Sequence, residues 1–142
     1  MKFFAIAASA LLLGATAASA DPVEDRQALM KERGAQMQVL VPMAQEKQPF
    51  DAAAALAALE TLAANAASVD VDALWPEGST GGKNDTAPAA WENRDEFVAA
   101  HDKFKADTEA AVAANPQDLD SFKPVFGSVA QNCGSCHETY RL

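Results

Sequence analysis

The sequence is short of the groups that most chemistry uses. It has two cysteines, two histidines and one tyrosine in 142 residues, and 11 basic residues against 20 acidic ones. The basic deficit excludes a nucleic-acid surface and leaves little to hold an anionic membrane. A zinc site needs four ligands, and Cys133, Cys136, His137 and the distant His101 are the whole Cys/His inventory, with none spare. After residue 20 no apolar run reaches the ~20 residues of a membrane span. No stretch reads as a strand, and no acid/base constellation points to an enzyme.

What the chain does have is Cys133-Gly134-Ser135-Cys136-His137. A C-x-x-C-H run is an attachment pattern for c-type haem. Two thiols three residues apart can add to the two vinyl groups on one porphyrin edge, and the adjacent imidazole can reach the iron. On a helix the three side chains stand at i, i+3 and i+4, on one side. A thioredoxin-like redox pair uses the same spacing but belongs near a βαβ pattern, and nothing upstream supplies one. A structural disulfide in an exported protein is the other alternative.

Residues 1–20 read as a secretory signal peptide. Lys2 is followed by the apolar stretch 3–18, and Ala18-Ser19-Ala20 fits the cleavage pattern. Export agrees with haem attachment, which takes place outside the cytoplasm, and predicts a periplasmic protein. Removing this segment leaves 122 residues, 21–142, with a net charge of −10. That length suits one domain. The acidity favours redox partner proteins with basic docking surfaces, or simply keeps an exported chain soluble.

Apolar spacing predicts four helices. The first covers 22–46, with a stripe of Val23, Met30, Met37 and Leu40/Val41, Gly34 one turn after Met30, and a kink at Pro42. A second, Ala-rich helix covers 52–68 with Asp51 as N-cap; Leu56, Leu59, Leu62 and Ala63 mark its face, for a bundle core or a dimer contact. A third covers 89–114, with Phe97, His101, Phe104, Thr108 and Val112 on one face. A fourth starts near Ser121, with Pro124 in its first turn, and runs to Tyr140. Residues 69–88 form a long connection in which Trp75 seeks burial. Together these predict an all-α antiparallel four-helix bundle.

The mature chain resembles the class II cytochromes c, the cytochrome c′ family, over nearly its whole length. The likeness rests on CGSCHETYR (133–141), LWP (74–76), STGG (79–82), PAAW (88–91) and RQALMKERG (26–34). It implies one haem c, covalent through Cys133 and Cys136, between the first and last helices, with His137 as proximal iron ligand. The family has two branches. Where the distal position of the first helix is apolar, iron is five-coordinate, high-spin and open to NO or CO. Where it is Met, the thioether closes the sixth site and the protein is a low-spin electron carrier. Here the position is Met30, which implies His137/Met30 ligation; a core-filling Met30 gives the other branch, and STGGKNDT is similar to the high-spin members. The family pattern also places Arg141 near the proximal imidazole, where a cation raises the reduction potential; a helix C-terminus favours an Arg there in any case. His101 reads as a core or haem-edge histidine. Either a monomer or a homodimer fits.

Overall fold

A computed structural model describes residues 21–80 and 85–142. The proposed signal segment and Gly81 to Asn84 of the connecting loop lie outside the described residues.

The first helix, α1, is Pro22–Ala44. Asp21 caps it by accepting the Val23 N–H, and Pro22 fills the opening turn, where a missing N–H costs nothing. The helix passes through Pro42 and stops two residues later, short of the expected residue 46. The second helix, α2, is Ala52–Ala67, with Asp51 accepting from the Ala54 N–H as expected. Leu59 and Leu62 are buried, whereas Leu56 and Ala63 lie at the margin. Asn65 joins the buried face.

The connection carries a one-turn helix, α3 (Val71–Leu74), capped by Asp70. The expected continuous helix over 89–114 is two pieces: a single turn, α4 (Ala89–Glu92), then α5 (Arg94–Ala114). Asn93 separates them, its φ of −116° and ψ of 58° lying outside the helical region. Asn115, in the left-handed region at φ 43°, ends α5 just before Pro116. The last helix, α6 (Leu119–Tyr140), starts two residues earlier than predicted, because Asp118 caps it. Asp118 and Ser121 form a reciprocal capping box. Pro124 consequently falls in the second turn, and its absent N–H leaves the Asp120 carbonyl without an i+4 donor.

The four long helices form the expected four-helix bundle: α1 and α5 each pack against α2 and α6. Leu40, Leu59, Leu62, Phe122 and Val129 are the closed core, and the Phe122 ring lies 5.2 Å from those of both Phe126 and Phe50. A second cluster, Trp75, Ala90 and Phe97 with Met30 and Tyr140 against it, fills one end of the bundle. The connection is fastened across that end. The Ala87 N–H donates to the Tyr140 carbonyl at 2.8 Å, and the Leu142 N–H to the Asp85 carbonyl at 2.8 Å. Trp75 is 3% exposed, buried as its size predicted.

Candidate haem site

Helix α6 carries Cys133, Cys136 and His137 within its last two turns, so the attachment motif is helical throughout. Both thiols are free and half-buried. Burial pushes both thiol pKa values up, with the Arg33 guanidinium pulling the other way. Such thiols are protonated at neutral pH, the opposite of the low-pKa nucleophile that a dithiol redox motif requires. His137 has its pKa lowered, first by desolvation, then by Arg141 and Arg33. A neutral imidazole is the form that binds a metal.

Across from α6, Met30 of α1 faces the same space. An open cleft of about 620 Å³, solvent included, is bounded by Met30, Trp75, Phe97, His101, Cys136 and His137, and Arg26 and Arg141 also line it. A smaller recess continues past Met30, His101, Cys136 and His137 to Cys133, Arg33 and Phe104. The four residues singled out in the sequence thus come to the wall of one slot between α1 and α6, with α5 and the connection closing its sides.

The walls suit a flat, mostly apolar group. Trp75, Phe97, His101 and Tyr140 pack at centroid distances of 4.8–5.1 Å, edge to face except for the tilted Trp75–His101 pair. His101 Nε2 and Arg33 Nη2 are buried polar atoms with no hydrogen-bond partner. Both residues line the smaller cavity, as expected where a bound group completes the packing. Burial, with Arg33 and Arg94 adding to it, lowers the His101 pKa to about 4, so this ring is neutral. Gly34 borders open space, where an added Cβ meets nothing within 4 Å, and no packing contact explains the glycine.

Arg26 and Arg33 fall in the segment 26–34 that resembles the family, but neither was singled out as a site residue. Their one further signal is that Arg26, Met30 and Arg33 recur at spacings of four and three, a single stripe on α1. Arg26 is 4% exposed and donates to the Ser79 hydroxyl and carbonyl at 3.2 Å, its guanidinium lying over the Trp75 and Trp91 rings.

A family model described as cytochrome c′ matches residues 21–141. The chain belongs to the cytochrome c′ family. It is 38% identical to cytochrome c-556 of Agrobacterium fabrum, over 100% of this chain and 97% of that protein. It is 32% identical to a cytochrome c′ of Rhodopseudomonas palustris, over 90% of this chain and 86% of that protein. The solved structure of a cytochrome c′ from Rhodopseudomonas palustris superimposes with a TM-score of 0.79 at 30% identity, covering 87% of this chain and 97% of that one. The protein is a monohaem c-type cytochrome, an electron carrier of this family. Its cofactor is haem c, held covalently through two cysteines, and Cys133 and Cys136 are the two that the sequence contains. No helix among the described residues is long and apolar enough to cross a membrane.

Proposed function

We propose that this cytochrome is a low-spin, periplasmic electron carrier in which His137 and Met30 would be the two protein ligands of the iron. The observation that carries the reading is that Met30 from α1 and His137 from α6 line both parts of one cleft. Iron porphyrin bound there supplies one-electron chemistry. The chain supplies the rest. Cys133 and Cys136 fix the group to α6, the neutral His137 imidazole offers a lone pair, and the Met30 thioether fills the distal position that an exogenous ligand needs. A thioether ligand favours the reduced state. The aromatic wall of Trp75, Phe97 and Tyr140 keeps water from one side.

The signal-like residues 1–20 support a periplasmic location, and the excess of acidic residues supports partners with basic docking surfaces, with the chain a monomer or a homodimer. A second reading, a five-coordinate high-spin protein that binds NO or CO, is favoured by relatives that carry the name cytochrome c′. The absorption spectrum of the oxidised holoprotein separates the two. Low-spin bands with a far-red sulfur-to-iron charge-transfer band are expected. Met30→Ala then turns the spectrum high-spin and raises CO affinity in the ferrous state. An unchanged spectrum in Met30→Ala removes Met30 from the iron.

A further inference from the structure

Arg33 is a half-buried cation, its Nη2 shut off from water, with no acid bound to it. Its Nε donates to the Asn65 side-chain oxygen at 2.6 Å, and its guanidinium sits 4.5 Å from the Phe104 ring centroid. Asn65 is 4% exposed and is itself held by the Leu29 carbonyl and the Glu32 carboxylate, at 3.3 and 2.5 Å. The charge is therefore anchored through a neutral amide, with Glu32 a further step away. Arg94, by contrast, meets Asp72 directly at 2.6 Å. Burying an unpaired charge is costly, and burial accordingly lowers the Arg33 pKa, although a guanidinium stays ionised at any working pH. A methionine or leucine could fill the same space against Phe104 without that cost. The position of the charge gives the reason for keeping it: Arg33 lines the cavity that holds both cysteines, so it would lie near a haem attached to them.

We infer that Arg33 sets the reduction potential of this cytochrome: its guanidinium, fixed by Asn65 and Phe104 in the cavity that holds both cysteines, favours ferrous over ferric iron. The inference rests on the electron-carrier reading and adds a residue to it. When a donor protein passes one electron to the site, iron(III) becomes iron(II) and one unit of positive charge disappears next to a cation that does not titrate. The repulsion relieved is larger beside a half-buried guanidinium than at a fully exposed one. No proton needs to accompany the electron on account of Arg33.

The test is a spectroelectrochemical titration of the holoprotein and its variants, with the spectrum recorded to confirm unchanged ligation. Arg33→Met should lower the ferrous-to-ferric ratio at a fixed ambient potential about tenfold, equivalent to 59 mV for one electron. Arg33→Lys, which keeps the charge, should stay within about threefold of the parent. The offset should be constant between about pH 6 and 9, because a guanidinium does not titrate there. A parent-like potential in Arg33→Met overturns the inference, as does an equal fall in both variants, which would make shape rather than charge the cause. Should Arg33→Met fail to assemble, the pair Asn65→Asp with Glu32→Gln keeps Arg33 and moves a carboxylate onto its Nε. That pair should lower the potential in the same sense, and no change overturns the inference. A colourless parent protein sinks the electron-carrier reading itself, whereas a coloured protein with a potential indifferent to Arg33 sinks this step alone.

Discussion

His101 gives the sharpest stability prediction. Its ring packs against Trp75 and Phe97 with centroids 4.9 and 4.8 Å away, and its Nε2 is buried without a partner. A phenyl ring at this position keeps the packing and removes the unsatisfied nitrogen, so His101→Phe should be neutral or stabilising by about 1 kcal/mol at pH 7.5. The difference should then grow in acid. Folded His101 titrates at about 4, against its ordinary 6.5, so between these values the unfolded chain binds more protons. Stability therefore falls as pH drops through 6.5, and the loss is complete below 4. Linkage puts the loss from this one group at about 1.4 kcal/mol at pH 5.5 and about 3 kcal/mol at pH 4. Every other acid-sensitive group is common to both proteins, so the comparison isolates His101. Urea denaturation of parent and variant holoprotein at four pH values reads it directly. The stability gap should widen to about 3–4 kcal/mol at pH 4. A gap that stays constant from pH 7.5 to pH 4 refutes the claim that this ring is held neutral by burial.

Two further predictions concern the bundle itself. Phe122 is fully buried between Phe50 and Phe126, so Phe122→Ala should lower unfolding free energy by about 3–5 kcal/mol in urea; a loss below about 1 kcal/mol would mean the core collapses into the space. Thr108 is also fully buried, but its hydroxyl donates only to the Phe104 and Lys105 carbonyls of its own helix. Thr108→Val keeps the shape and leaves no donor stranded, and should change stability by less than about 1 kcal/mol, whereas a large loss would show that the hydroxyl bond is structural.

How much of this was readable in the residues depends on the kind of signal. Cys133, Cys136 and His137 were legible because their spacing is the chemistry, and a helix is the backbone that serves it. Leu59, Leu62, Phe97 and Phe104 were legible because periodicity reports which face is buried. The boundaries were less so. Ser121 has the composition of a cap, but Asp118 stands three residues earlier with Ser121 as its reciprocal partner, and a box outcompetes a single cap. The break at Asn93 has no breaker residue to announce it. Least legible were the inward-turned polar groups, Arg26, Arg33 and Asn65. Hydrophobic spacing assigns such residues to solvent, and their burial is decided by partners 32 to 53 positions away, Asn65 for Arg33 and Ser79 for Arg26.

Those arginines show how an acidic protein arranges positive charge. The sequence has four, Arg26, Arg33, Arg94 and Arg141, and three of them, Arg26, Arg33 and Arg141, line the cleft. Arg94 lies outside it, over the Phe97 ring of its wall. None of the described lysines lines either cavity. The choice follows from hydration. A guanidinium is planar, weakly hydrated and stacks on rings, as Arg26 does on two tryptophans and Arg33 on Phe104, whereas an ammonium stays in water. The outside of the molecule is negative while the slot between α1 and α6 is lined with cations. The two fields act on different quantities and respond differently to salt. Exposed charges are screened beyond about 8–10 Å at physiological ionic strength, but buried ones are screened much less. Raising salt should therefore slow reduction by a basic partner protein steeply and leave the midpoint potential nearly where it was. Stopped-flow rates and redox titrations in the same salt series would measure both, and a potential that moves in step with the rate would place the controlling charges on the surface instead of in the cleft.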